Sequence, residues 1–372
     1  MHRQIIITIV FLMPLQVIAI EHPTALELLD KYAETRNNFR SFISKTENSI
    51  EYETKPHSNE IRFMRAYLKN FKREEFRFDG KRANLRTHFW GKIIPGRPTV
   101  PENNPYYKSR LRTEDVERWY GRADITNDPG RVTLKKRPEI AAEVSLARAY
   151  KGHEAIGYLF GDDERVDVVL RRALNISVRD KMDEIGGSQC YVIDALTRRG
   201  KYTIWIDPEH GYNIAKAKVI RKGGDIHDNK KTIADGDQYY TLLSNVQFKQ
   251  IDGVWVPVEA DIKYRWNLPT KKYDYWENIH HRVTEFIMNP DHDALGSFAW
   301  DDIQNGAKVI VAGVEGITYR WQNGKVVDAD GRVIMDFRPK KEGSSMGAVT
   351  AAVEKIRFAW SVRSVLADSY RQ

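Results

Sequence analysis

Acid and base types crowd together at one point of this 372-residue chain, in the run Trp205-Ile-Asp-Pro-Glu-His-Gly211-Tyr. Asp207, Glu209 and His210 are side chains that could pass a proton in hydrolysis. Their spacing argues for a simpler role. Asp207-Pro208 starts a turn, Gly211 supplies an unusual backbone conformation, and Tyr202 to Ile206 is placed to pair with Tyr212 to Arg221. An acidic pair at an exposed hairpin tip has no desolvation to lift a pKa toward neutrality. We read the run as a turn, with a hydrolase around Asp207 and His210 as an alternative.

The other reactive side chains fit catalytic patterns no better. His153-Glu154 lacks the second histidine of a zinc-peptidase helix, and Gly187-Ser188 lacks the second glycine of a nucleophile elbow. His280 and His281 are adjacent on a strand-like run, so they point to opposite faces and cannot close on one metal. We read both as strand surface residues. Asp225, His227 and Asp228 lie in a Gly-rich, charged turn; they could coordinate a cation, but we read the segment as a solvated loop. Cys190 is the sole cysteine, which excludes an internal disulfide, and its place at the start of a strand suggests a small buried apolar residue. The expectation is a non-enzymatic protein with no catalytic residue, no metal and no cofactor.

The elements that carry these residues are mostly strands. Thr24 to Phe39 has helical periodicity, with Leu28, Tyr32, Thr35 and Phe39 on one stripe and Leu26, Leu29 and Ala33 beside it. From Ser41 onward the period becomes two. Val254, Val256, Val258, Ala260, Ile262 and Tyr264 share one face of a strand, opposite a face that includes Pro257. The same alternation runs through Lys201 to Ile206, and through Tyr240, Leu242, Ser244, Val246 and Phe248. One apolar and one polar face is the pattern of an antiparallel sheet wetted on one side. Asp79-Gly80, Asp252-Gly253, Asn305-Gly306, Asn323-Gly324 and Asp330-Gly331 are dipeptides that tight hairpins favour. Lys92 to Asn104 reads as a loop, Pro138 to Tyr150 and His153 to Phe160 as short helices. A polar linker from Pro339 leads to an amphipathic helix over Met346 to Asp368, with Val349, Val353, Ile356 and Trp360 on one stripe. Leu295 to Asp336 is expected to add strands to the same sheet.

The N-terminus has the features of a secretory leader. Arg3 precedes an apolar run over Ile5 to Leu12 that Pro14 ends, and Val17-Ile18-Ala19 suits cleavage after Ala19. The run is too short and interrupted for a comfortable membrane span. Residues 1–19 are therefore read as a signal peptide, 20–338 as one β domain, and 339–372 as linker and helix, in a periplasmic protein. The formal charge of +8 comes from Lys and Arg interleaved with Asp and Glu. That describes a solvated surface with some affinity for anionic headgroups, so peripheral membrane contact is allowed. Export and the lack of a recognised motif argue against nucleic acid.

The leader, the Ala25-Leu-Glu-Leu-Leu-Asp-Lys-Tyr helix, Phe42-Ile-Ser-Lys leading into meander strands, and the Tyr202 to Gly211 hairpin together resemble the superfamily of periplasmic lipoprotein carriers. That superfamily also contains lipoprotein-binding regulators of envelope-stress sigma factors. The hairpin is similar to their Trp-(Ile/Leu)-Asp turn, with Tyr212 in place of the usual aliphatic residue. The resemblance covers roughly Ala25 to Pro290. It implies an α+β fold: a large antiparallel sheet in a half-open barrel whose concave face is covered by helices and accommodates acyl chains. The function it implies is a carrier of lipid acyl chains or lipoprotein; the alternative is an envelope sensor or scaffold that binds a protein partner. Candidate apolar lining residues are Phe76, Phe78, Tyr202, Ile204, Tyr240, Leu242, Val256 and Val258, with Ile356 and Trp360 as lid candidates. Each of the eight could equally pack a closed core.

Overall fold

A computed structural model describes residues 22–56, 66–93, 98–114, 116–122, 128–136, 164–227, 231–312 and 317–338. The leader, the helices expected within 138–160, the linker and the C-terminal helix with Ile356 and Trp360 lie outside the described residues.

Helix α1 (Ala25–Asn37) lies within the segment of helical periodicity and is opened by a capping box. The Thr24 side chain accepts from the Glu27 backbone N–H, and the Glu27 carboxylate accepts from the Thr24 N–H at 2.7 Å, so each satisfies a donor of the other. Ala25, Leu28, Leu29, Tyr32 and Arg36 form its buried stripe. Leu26, expected beside that stripe, is exposed. Arg36 takes the inward place instead, because its guanidinium lies 4.4 Å over the Phe39 ring and bonds Asn213.

The first strands form a meander: β1 (Phe42–Pro56), β2 (Ala66–Phe78), β3 (Ala83–Gly91), β4 (Tyr106–Arg112), β5 (Val116–Arg122) and β6 (Arg131–Lys136). After α2 (Val166–Arg171) come β7 (Asn175–Val178), β8 (Asp183–Ile185), β9 (Ser188–Thr197), β10 (Gly200–Asp207) and β11 (Asn213–Lys222). The small ribbon β12 (Ile226–His227) and β13 (Lys231–Thr232) precedes three long strands, β14 (Gln238–Ile251), β15 (Val254–Leu268) and β16 (Tyr273–Met288). The chain continues through β17 (Lys308–Val311), β18 (Tyr319–Gln322), β19 (Lys325–Val327) and β20 (Val333–Asp336).

Eighteen of these strands make one sheet. From β6 its order runs back through β5, β4, β3 and β2 to β1, then to β16, β15, β14, β11, β10 and β9, with β7 and β8 both on β9. Beyond β6 it extends through β17, β18, β19 and β20, so the segment expected to add strands does so. All pairs are antiparallel except β6 with β17. Among the described residues no pairing joins β20 to β7 or β8, so the sheet is large and mixed but not closed into a barrel.

Two of the five expected dipeptides form tight hairpin turns, whereas Asn305-Gly306 precedes β17 with no strand before it to pair. Asp252-Gly253 and Asn323-Gly324 have positive φ at both positions and join β14 to β15 and β18 to β19 through two-residue loops. Pro257 lies on β15 before its pairing with β16 begins at Glu259, where a missing N–H interrupts no ladder. The alternation read through Tyr240 to Phe248 is broken by a bulge at Ser244/Gln247, with Asn245 at φ 54.

The core sits on both faces. On one, a row of directly paired residues, Ile193, Ile204, Ala217, Leu243, Ile262, Ile279 and Ile50, crosses from β9 to β1 beneath α1 and α2. On the opposite face, β17 to β20 bring Val309, Trp321, Val326 and Met335 against Tyr107, Tyr120, Val132 and Leu134. That second packing is fastened by a buried ion pair: Arg118 donates to Asp302 at 2.5 Å, and Tyr107 donates to the same carboxylate at 2.7 Å. Burial alone would raise the Asp302 carboxyl. The Arg118 charge and the donors from Ser109, Arg118 and Tyr107 outweigh it and hold the group below the ordinary carboxylate range.

Candidate functional site

The Asp207 to Asn213 turn is a fastener. Asp207, buried, accepts from the backbone N–H groups of Glu209 and His210, which closes the turn. Asn213 donates to the His210 and Trp255 carbonyls, and receives Arg36 from α1. Thr35 bonds the Gly211 carbonyl, so the turn fixes the C-terminal end of the helix to the sheet. Ser188, His210 and Asp207 do come together. However, Ser188 Oγ (3.4 Å) and Asp207 Oδ2 (2.7 Å) both face His210 Nδ1. A catalytic triad needs one ring nitrogen for the nucleophile and the other for the acid. Here the ring is packed between Phe248 and Trp255, with centroids 4.8 and 4.7 Å away.

Cys190 is fully buried with Val192, Trp205 and Ala215, and burial, aided by the charges of Asp207, Glu209 and Asp183, pushes its thiol up to about 12. His280 and His281 point to opposite faces, as expected. His280 is exposed beside Asp261, at 3.0 Å. His281 is not a surface residue: it is buried, its Nδ1 2.7 Å from Asn48 Oδ1, because the β1–β16 pairing places it on the covered face. Asp225 accepts from the Lys222 N–H, and His227 stacks on Tyr239 at 4.7 Å; Asp228 lies outside the described residues.

The eight apolar candidates separate into three groups. Tyr202 and Ile204 belong to the core under α1. Phe76, Phe78 and Val256 are packed together with Phe39, Phe42, Ala83 and Leu85, and Val258 rests against that cluster. Tyr240 and Leu242 lie on the face opposite Leu243, so they do not share a surface with the core under α1.

An open pocket lies on the α1-bearing face, farther along the sheet, where β2, β3, β4 and β5 run side by side. Its volume is about 180 Å³, and it is lined by Lys72, Glu74, Leu85, Thr87, Phe89, Lys108, Arg110 and Trp119, with Ser109 and Tyr120. The register builds it. Phe76, Leu85, Arg110 and Trp119 form one row across the strands; Glu74, Thr87, Lys108 and Gly121 form the next; Lys72 and Phe89 form the third. Gly121 places no side chain next to Lys108, which leaves the pocket room. Both aromatic rings are flanked by cations: Lys72 and Lys108 lie 5.6 and 5.0 Å from Phe89, Arg110 and Lys135 lie 4.4 and 5.2 Å from Trp119. Trp119 is 44% exposed, unusual for the largest apolar side chain. Glu74 is buried at the β1 side, where Asn48 donates to it at 2.9 Å, and Arg110 Nε donates to Glu117 at 2.6 Å.

The sequence reading missed Leu85, Phe89 and Trp119 because it sought long apolar alternation. The signal available was a different one: strands in which aromatic and basic residues share a parity, as in Lys108 and Arg110 on β4.

No family model matches the chain. A DUF1329 family protein from Desulfovibrio piger is similar at 11% identity and a TM-score of 0.34, over 74% of this chain and 98% of that one. MucB, solved in complex with MucA(peri), is similar at 7% identity and a TM-score of 0.18, over 71% of this chain and 98% of that one. Both likenesses are too slight to carry a functional argument. Among the described residues no helix is long and apolar enough to cross a membrane.

Proposed function

We propose that the protein is an exported, non-enzymatic binder of lipid-like ligands, a periplasmic carrier of acyl chains or of lipoprotein. The observation that carries this reading is the open pocket on β2 to β5, where Phe89 and Trp119 offer apolar surface to solvent beside a fully packed core. Covering that surface with an acyl chain removes water at about 0.8 kcal/mol per methylene, so a few carbons give useful affinity without a reacting group. Phe76, Phe78, Tyr202 and Ile204 are packed, so in this reading Phe89 and Trp119 take the place of those four as the apolar lining. Export rests on the Arg3 to Ala19 segment, and cell fractionation tests it.

Native mass spectrometry of the full chain purified from cell envelopes tests the binding. Adducts of lipid mass are expected, together with saturable fluorescence enhancement of cis-parinaric acid. Both should be lost in the Phe89→Asp/Trp119→Asp double variant. A ligand-free protein that does not enhance the probe would sink the reading.

A further inference from the structure

One row of the sheet carries charge of a single sign. Residues paired across neighbouring strands point to the same face. The pairing therefore lines up Lys108 on β4, Gly121 on β5, Arg131 on β6, Lys308 on β17 and Arg320 on β18. The four cations are exposed, and none has a carboxylate partner among the described residues. With strands about 4.8 Å apart the row is roughly 19 Å long, and Arg131, Lys308 and Arg320 on adjacent strands stand within a Debye length of one another. The other face of these strands is the packed core of Tyr107, Tyr120, Val132 and Val309, so the row looks outward. The next row is Arg110, Trp119, Thr133 and Ile310, in which Trp119 is exposed and Ile310 half-buried. Beyond it Lys135 is exposed, 5.2 Å from the Trp119 ring, whereas Glu117 is buried and bonded to Arg110.

We infer that this face, from β4 to β18, docks on an anionic bilayer surface, with the cation row against the headgroups and Trp119 at the interface. The row supplies a positive surface with no exposed carboxylate in it, the complement of a negative leaflet. Tryptophan suits the boundary between headgroups and acyl chains, since its ring is apolar and its N–H polar. A protein partner fits less well, because lysine is depleted from the centres of protein interfaces. Docking of this kind does not rest on the lipid-binding reading; it goes beyond it by turning the Lys108 and Trp119 side of the pocket to the membrane. As the cations are exposed, attachment weakens with salt.

The test sediments the full chain with vesicles of phosphatidylcholine, with and without an equal part of phosphatidylglycerol. Attachment is expected to the anionic vesicles at low salt, with release as salt rises. Arg131→Gln/Lys308→Gln/Arg320→Gln should weaken it on the order of a hundredfold, since each basic residue at an anionic surface contributes about fivefold. Lys201→Gln/Lys222→Gln/Lys263→Gln makes the same change of net charge at exposed positions on the opposite face of β10, β11 and β15, and should retain attachment within about twofold. Thermal melts confirm folding of each variant. Brominated acyl chains in the anionic vesicles should quench the tryptophan fluorescence of the wild type, and Trp119→Phe should remove most of that quenching while sedimentation persists. Attachment retained by the first triple variant, or quenching that survives Trp119→Phe, would overturn the inference by moving the contact elsewhere. Wild-type protein that binds immobilised polyglutamate but no vesicle would make the face a site for an acidic protein and also overturn it. Failure to attach with cis-parinaric acid enhancement intact would remove the docking alone. Attachment without that enhancement would uphold the docking and remove the lipid-binding reading.

Discussion

The two halves of the α1-bearing face are built from the same kind of strand and end differently. From β9 to β1, the inward positions are mostly apolar, with Asn48 and His281 bonded to each other among them, and the part under α1 and α2 is covered so completely that Leu28, Tyr32, Tyr202 and Ile262 are all 0% exposed. From β2 to β5 the inward positions are Lys, Glu, Arg and Thr interleaved with Phe89 and Trp119, and an open pocket remains. Parity alone puts a residue on a face. Whether that face becomes core or site depends on what lies over it, and the β2–β5 composition, charged stems around aromatic rings, tolerates water. The packed half is a closed core, and the β2–β5 half keeps aromatic and charged side chains in contact with solvent.

The largest expected effect is beneath the open half. Asp302→Ala leaves Arg118 buried without its carboxylate, and should cost about 3–5 kcal/mol in denaturant unfolding. The wild-type pair also predicts an acid limb. Asp302 has a depressed carboxyl in the fold, so its contribution is full above the ordinary aspartate value near about 4 and is lost as pH falls below that. The variant should lack this part of the slope between native and acid-unfolded protein. An unchanged acid profile would mean that the pair does not hold β17 to β20 in place. Next in size is the packed half. Leu28→Ala removes a fully buried side chain from the α1 stripe and should cost about 2–5 kcal/mol. Cys190 gives a direct readout, since its buried thiol should react with Ellman's reagent only when the core opens.

Much of the packed half was legible in the sequence, for identifiable reasons. The helix that starts after Thr24, the Asp252-Gly253 and Asn323-Gly324 turns, and the alternation of Val256 to Tyr264 all depend on neighbours within a few residues. Phe76, Phe78, Tyr202 and Ile204 were legible as inward-facing, but not as packed shut, because burial depends on α1 and on strands far away in the chain. Tyr240 and Leu242 were given a shared face with residues across a bulge that no local signal announces. His281 was read as exposed because nothing near it in the chain shows that Asn48 lies opposite, 233 residues away. The pocket was the least legible feature. It combines residues of four strands whose register is set by pairing, and each residue taken singly is an ordinary surface Lys, Arg or aromatic.

The smallest expected effect is the sharpest test of the contrast between the halves. Trp119 and Trp205 are tryptophans on strands of one sheet, both with a cation over the ring: Arg110 at 4.4 Å for Trp119 and Lys216 at 4.7 Å for Trp205. Trp205 is 7% exposed, packs with Cys190 and Val192, and donates its indole N–H to Asp183 at 2.8 Å. Truncation there opens a cavity and leaves a carboxylate short of a donor, so Trp205→Ala should cost about 3–5 kcal/mol. Trp119 has no cavity to leave, and Trp119→Ala should change stability by no more than about 0.5 kcal/mol, since the loss of a cation–π contact at an exposed site is small. Parallel urea titrations decide it. If Trp119→Ala unfolds as readily as Trp205→Ala, its ring is part of the fold's core and the β2–β5 surface is not a binding face. If the two separate as expected, an exposed tryptophan has been kept on a strand where stability does not need it, and ligand contact is the remaining physical reason for it.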